Sequence, residues 1–219
     1  MQRHRDTIIG KSYKYLNTAV LITLVRFGGK THLVFEERSA DIVQGSEICF
    51  PGGRFDKVKD RTLKDTAIRE SCEELGISRK QISIRGKLGT LIAPVGIMVE
   101  AYIGSMKIRS IDELNINPAE VEKAFTVPLS WFREHPPKEH QLNVEVHPFR
   151  YNDNMEKEHL LPVRDYALPE RYEQPWSGRK HPVFVYTGEH GVIWGITAEL
   201  VREFLASKYA LKKVKRNVF

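Results

Sequence analysis

Apolar positions along the chain follow two periods, and the change from one to the other marks out the elements. Residues 17–27, NTAVLITLVRF, form a β-branched run; Gly28-Gly29-Lys30 then turns the chain, and residues 31–37 continue as a second strand, which is a hairpin signal. Residues 38–46 are a polar connector, and residues 47–50 are a short strand leading into Pro51-Gly52-Gly53. The period then becomes helical. Thr62 followed by Asp65 is a capping-box variant, and Gly76 stands where a left-handed cap suits glycine, so a helix is predicted over residues 62–75. Residues 81–93 and 95–103 read as strands around Pro94, and residues 120–127 as another, closed by Pro128 and a short helix over 130–134. A last strand over 183–186 and a last helix over 193–207 complete the pattern, and residues 3–10 are compatible with a short helix.

Strand runs before and after one central helix predict an α+β sandwich around a mixed sheet. Over residues 135–182 the periodicity gives way to prolines, charges and scattered aromatics. A hairpin is expected there, residues 142–151 against 159–164 across Asn152-Asp153-Asn154, with a long loop around it. The expected organisation is therefore one domain over residues 1–219, carrying an insertion at about 135–182 and a basic tail over 208–219.

At roughly 100° per residue the helix puts Leu63, Ala67, Ile68, Ser71, Cys72 and Leu75 on one broad face suited to packing. Glu70, Glu73 and Glu74 share an arc beside it, with Glu74 at the border and only partly exposed. Three carboxylates this close raise one another's pKa unless a cation holds them ionised, and hard divalent ions such as Mg²⁺ or Mn²⁺ take oxygen ligands of this kind. Arg69 precedes Glu73 by one turn, where an ion pair can orient it. A solvated acidic helix edge is the ordinary reading of such a cluster. It does not require a carboxylate at the apolar border, nor two glycines upstream that let backbone N–H groups approach a ligand unobstructed.

Composition adds boundaries. With 41% hydrophobic and 28% charged residues, the 219-residue chain is expected to be globular and soluble. The net charge of +6 is in part a C-terminal run, Lys208, Lys212, Lys213, Lys215 and Arg216, which reads as a solvated end; neither nucleic acid nor membrane is expected as a partner. Cys49 and Cys72 form no CxxC motif and fall in apolar patterns, so buried free thiols are expected. No apolar run suits a signal peptide or a span, which points to a cytoplasmic protein. His135, His140, His147 and His159 match no zinc spacing, and there is no G-x-S-x-G element for covalent catalysis.

Arg69-Glu70-Ser71-Cys72-Glu73-Glu74-Leu75-Gly76-Ile77 resembles the second half of the Nudix box, R-E-U-x-E-E-x-G-U with U apolar, and Gly53 resembles its leading glycine. Between Gly53 and Arg69 the chain has two residues more than the standard box, and Arg61 stands where the first glutamate is expected, with Asp60 the nearest acid. The resemblance implies a Nudix-type α/β/α sandwich with a mixed β-sheet and a catalytic loop-helix-loop. It assigns metal binding to Glu70, Glu73, Glu74 and Gly53, and a catalytic part to the three glutamates and Arg69. Upstream, Leu33 to Ser39, Gly45 and FPGG are similar to the extended motif of the coenzyme A pyrophosphatase subgroup; the subgroup's second arginine is absent, with Val43 or Gln44 near its place.

That kinship implies Mg²⁺- or Mn²⁺-dependent hydrolysis of a pyrophosphate bond in coenzyme A or a derivative. Such chemistry needs charge neutralised on the phosphoryl oxygens and a water presented in line with phosphorus. Arg38 is the expected phosphate clamp, and Ser39, Gly52 and Gly53 complete the substrate contacts. The general base is open between Glu74, Glu100 and Glu120. Two alternatives stand beside this: another nucleoside diphosphate derivative such as ADP-ribose or a dinucleotide, and a Nudix domain used as a ligand-sensing or binding module. The partner is in each case a small molecule, and a homodimer is compatible with the sequence.

Overall fold

A computed structural model describes residues 8–211. The helix expected over 3–10 therefore lies mostly outside the described residues, as does 212–219 of the basic tail; residues 9–14 are turns. The chain divides into two compact units, residues 1–138 with 184–219, and residues 139–183.

The first unit is built on a seven-stranded mixed sheet. Strands β1 (Leu16–Phe27), β2 (Lys30–Arg38), β3 (Ile48–Cys49), β4 (Gly52–Arg54), β5 (Ile82–Ala93), β6 (Ile97–Met106) and β7 (Val121–Pro128) compose it. Its path is β3-β2-β1-β6-β5, with β4 on β1 and β7 on β2; β1 and β6 are parallel and the other pairs antiparallel. Because successive side chains of a strand face opposite ways, β1 and β2 each serve two cores. Ile22, Leu24, Leu33 and Phe35 join a cluster with Phe132 of α2 (Leu129–Glu134) and with Ala198, Val201 and Phe204. Ala19, Leu21, Val25 and Val34 join one with Leu63, Ala67, Ile68 and Leu75 of α1 (Leu63–Leu75). Helices on both faces of a mixed sheet make the α/β/α sandwich that the sequence implies.

Sheet register creates the opening in which the candidate site sits. Strands β1 and β2 pair from Phe27↔Lys30 as far as Leu24↔Leu33, then part. Segment 48–54 fills the gap: Cys49 pairs with Glu36 of β2, Gly53 pairs with Ala19 of β1, and the Leu21 N–H donates to the Pro51 carbonyl at 2.9 Å. Phe50 anchors the turn by stacking on Phe35, centroids 4.7 Å apart.

Helix α1 has the predicted ends. The Thr62 hydroxyl accepts from the Asp65 N–H while the Asp65 carboxylate accepts from the Thr62 N–H, and Gly76 closes the helix at φ 62°. Ser71, polar at an apolar box position, is accommodated in the core because its hydroxyl donates to the Ala67 carbonyl at 2.7 Å. Two side chains differ from the helical wheel. Glu74 is buried at 4% exposure, because segments 50–53 and 115–120 close over it, and Cys72 is only partly buried.

The second unit is built from short pieces: β8 (Lys138–Leu142) leads into it, β9 (Glu145–Val146) pairs with β12 (Trp176–Ser177), and β10 (Phe149–Tyr151) pairs with β11 (Lys157–His159). The hairpin expected across Asn152-Asp153-Asn154 forms there, but only three residues a side, with Phe149 opposite His159. Arg150–Glu158 and Arg164–Glu173 ion pairs hold the surface of this unit. At the end of the chain the structure corrects the predicted helix. Ile193 and Trp194 belong to β14 (Gly191–Trp194), which pairs with β13 (His181–Gly188), and α3 (Gly195–Ala206) begins only at Gly195, followed by α4 (Lys208–Leu211). The alternation of exposed Val192 and Trp194 with buried Ile193 is a strand period too short to separate from the helix that follows.

Candidate active site

Helix α1, the turn 50–53 and the segment before β7 converge beneath the gap between β1 and β2. Oxygens of Glu70, Glu74 and Glu120 lie within 4.8 Å of one another. Glu70 and Glu74 are four residues apart on one helix face. Glu120 arrives from outside the helix because segment 115–120 docks on its C-terminus: Asn115 donates to the Leu75 carbonyl at 3.2 Å and Asn117 to the Glu74 carbonyl at 2.9 Å. Gly76 permits that approach, since a Cβ there would come within 1.9 Å of the Asn115 oxygen.

The glycine turn is shaped to the same acids. The Gly52 N–H donates to Glu74 Oε2 at 2.9 Å. A Cβ on Gly53 would stand 2.5 Å from Glu70 Oε1, so only glycine lets this backbone lie against the carboxylate. Glu36 is a further member that the sequence reading passed over. It lies on the same face of β2 as Val34, towards α1, is buried at 1% exposure, and accepts from the Cys49 thiol at 3.4 Å, while its Oε2 has no hydrogen-bond partner among the described residues. The alternation of β2 is the signal that could have found it.

Electrostatics follow from burial. Burial, with the charge of Glu36 next, pushes Glu74 up to about 10, against the pull of the Gly52 N–H. Burial pushes Glu36 up to about 7, opposed by the Cys49 hydrogen bond and by Arg38. Glu70 is raised by burial and lowered by Arg69, with a net rise. A set of oxygen-only donors, one of them deeply buried and all repelling one another, is what a hard divalent cation relieves, so the residues present fit such an ion.

Arg69 organises the set. Its Nη1 lies 2.9 Å from Glu70 Oε1 and 2.9 Å from Glu73 Oε2, while Nε and Nη2 fork onto Asp60 at 2.9 Å each. Glu73 thus takes the predicted ion pair with Arg69, lies 4.0 Å from Lys59, and stands outside the group formed by Glu70, Glu74 and Glu120. Arg38 Nε donates to the Val43 carbonyl at 3.2 Å, and the Ser39 N–H donates to the Glu120 carbonyl at 2.9 Å, so both residues brace the connector 39–47 and segment 115–120. Glu100 is held by Tyr102, Lys87 and Lys11 and does not join the acid group.

In front of the acids lies an open groove of about 600 Å³, lined by Arg54, Phe55, Asp56, Lys57 and Lys59 of the loop after the glycine turn and by Arg69, Glu70, Glu73 and Glu120.

The NUDIX domain model matches residues 16–148, more than half of the chain, with the box, its glycine turn and Glu120 inside the match. The chain belongs to the Nudix family. Nudix hydrolases of this kind are pyrophosphohydrolases of nucleoside diphosphate derivatives that generally need a divalent metal, and this Nudix domain has a carboxylate group suited to one. Its curated relatives include the peroxisomal coenzyme A diphosphatase NUDT7 of Mus musculus, 31% identical over 162 residues, covering 69% of this chain and 67% of the relative. They also include the uncharacterized Nudix hydrolase NudL of Photorhabdus laumondii, 27% identical over 85% of this chain and 82% of the relative. The mitochondrial coenzyme A diphosphatase NUDT8 of Homo sapiens is 28% identical over 52% of this chain and 49% of its own. No helix among the described residues is long and apolar enough to cross a membrane.

Proposed function

We propose that this Nudix hydrolase cleaves the pyrophosphate bond of coenzyme A or its derivatives, giving 3′,5′-ADP and 4′-phosphopantetheine or its acyl form, with Mg²⁺ or Mn²⁺. The observation that carries the chemistry is the meeting of Glu70, Glu74 and Glu120, of which Glu70 and Glu120 line an open groove and Glu74 is buried. The choice of substrate is supported by the kinship to coenzyme A diphosphatases and by Arg38, Ser39 and FPGG of the extended motif.

Glu70, Glu74 and Glu120 would hold the cation, which when bound supplies polarisation of phosphoryl oxygens and a water of lowered pKa. The Gly52 N–H keeps one oxygen of Glu74 occupied and so orients the other. Arg69 holds Glu70 in place against the repulsion of its neighbours. Glu120, the exposed member of the group, is the base to take the proton from the attacking water; Glu74 is too enclosed and Glu100 is engaged elsewhere. Arg38 and Ser39, which do not line the groove, act on the substrate through the connector they brace.

A hydrolysis screen of the purified protein with Mg²⁺ and Mn²⁺ tests this, using coenzyme A, acyl-coenzyme A, ADP-ribose, NADH and diadenosine polyphosphates. Preference for coenzyme A is expected. Preference for ADP-ribose or a dinucleotide would favour the second reading, which the residues Val43 and Gln44 in place of the subgroup's second arginine support.

A further inference from the structure

The lining of the groove carries more positive charge than the ion pairs of the fold use. Of the lining cations, Arg69 is consumed by Asp60, Glu70 and Glu73. Arg54 and Lys57 have no ion-pair partner among the described residues, and Lys59 has only Glu73 at 4.0 Å. Asp56, the acid between them in the sequence, spends Oδ1 on the N–H groups of Val58 and Lys59.

These cations sit on a shaped loop. The Asp56 N–H donates to Asp60 Oδ2 at 3.0 Å, the Asp60 N–H returns to the Asp56 carbonyl at 2.8 Å, and Asp60 is itself fastened by the Arg69 fork. The two residues by which this chain exceeds the standard box lie between Gly53 and Arg69, the segment that forms this loop. The groove is of a size that takes a whole nucleotide. A diphosphate bound to a cation at Glu70, Glu74 and Glu120 engages the acids and leaves Arg54, Lys57 and Lys59, which line the same groove, to another part of the substrate.

We infer that Arg54, Lys57 and Lys59 form a second anion subsite that takes a phosphate monoester carried on the ribose, separate from the anhydride that is cleaved. A monoester brings nearly two negative charges and three acceptor oxygens, the match for two cations without an ion pair and a third held only at 4.0 Å along one groove. The inference rests on the reading of the site as one for nucleoside diphosphate derivatives, and it names the feature by which coenzyme A differs from ADP-ribose and from its own dephosphorylated form.

The test is calorimetric titration of the full chain with 3′,5′-ADP and with 5′-AMP, which differ only in the ribose monoester. The wild-type protein is expected to bind 3′,5′-ADP about tenfold more tightly or better. In the triple variant Arg54→Gln/Lys57→Gln/Lys59→Gln that preference disappears while the affinity for 5′-AMP stays within about twofold. All three residues are exposed, and an unchanged melting temperature verifies the fold of the variant. Equal binding of the two nucleotides by wild type, no binding of 3′,5′-ADP at millimolar concentration, or an equal loss for both probes in the variant overturns the subsite. Turnover of coenzyme A and of dephospho-coenzyme A is measured alongside. A retained bisphosphate preference without coenzyme A cleavage defeats the substrate reading alone, and cleavage without the preference defeats the subsite alone.

Discussion

Arg69 and Asp60 meet in a two-pronged ion pair, Nε to Oδ1 and Nη2 to Oδ2, each at 2.9 Å, and the third guanidinium nitrogen of Arg69 reaches Glu70 and Glu73. One buried aspartate therefore sets the position of an arginine that in turn positions two acids of the helix.

Asp60→Asn should remove about 2–3 kcal/mol of stability, since it leaves a largely buried guanidinium with half of its charge-assisted bonds. It should also lower kcat/KM, because Glu70 loses a fixed neighbour. Urea unfolding and steady-state kinetics on the same preparation check both. An unchanged unfolding midpoint would show that Glu70 and Glu73 satisfy Arg69 unaided.

The same pair makes a pH prediction. Hydrogen bonds from Arg69, opposed by burial, hold Asp60 down at about 2 in the folded protein. An unfolded aspartate titrates near ~3.9, so the unfolded state takes up a proton first as pH falls. The stabilisation is complete above about pH 4 and is lost between about pH 4 and 2. Stability curves of wild type and Asp60→Asn should converge over that window, and a constant gap down to pH 2 would contradict the assignment.

Glu74→Gln should separate activity from stability. The amide oxygen can still accept from Gly52, whereas the titratable carboxyl facing Glu36, Glu70 and Glu120, which the folded protein must keep protonated when no cation is bound, is gone. Metal-dependent turnover is expected to fall by a factor of about 100 or more, since a cation ligand is lost. In chelator the variant should melt above wild type at pH 8, and by a smaller margin at pH 5. The sign follows from a carboxyl pushed up to about 10: ionising it opposes folding, and the penalty grows as pH rises above the ordinary carboxylate range. A variant that melts below wild type at pH 8 would show that the acid group is stable without a cation.

Gly53→Ala and Gly76→Ala test the two close approaches. At Gly53 the added methyl meets Glu70, so activity should drop at least tenfold with a small change in melting temperature. At Gly76 the methyl meets the Asn115 carbonyl and the backbone is left-handed, so a loss of about 2 kcal/mol or more is expected, together with lower kcat/KM as Glu120 shifts. Gly53→Ala with wild-type activity would separate this turn from the reaction.

Between them these residues show how far sequence reaches. The ends of α1 were legible because Thr62, Asp65 and Gly76 act on backbone groups within a few residues, and the Arg69–Glu73 pair because helix geometry alone sets its spacing. Strands β1, β2, β5, β6 and β7 were legible as β-branched and apolar runs bounded by glycine and proline turns. The choice among Glu74, Glu100 and Glu120 was not, because it depends on which loop docks on the end of α1, and that contact is made by backbone carbonyls that carry no sequence signature. Glu36 was hidden for a related reason: its partners come from 13 residues or more away, and its burial follows from the parting of β1 and β2. The hairpin of β13 and β14 was absorbed into the helix that follows it, two short periods overlapping in a few residues. Local hydrogen bonding and periodicity thus determined the helix, its acids and the sandwich by sequence alone. Which acids meet, which is buried and which cations face them were decided only when distant segments packed, because electrostatics depends on distance and burial that the order of residues does not contain.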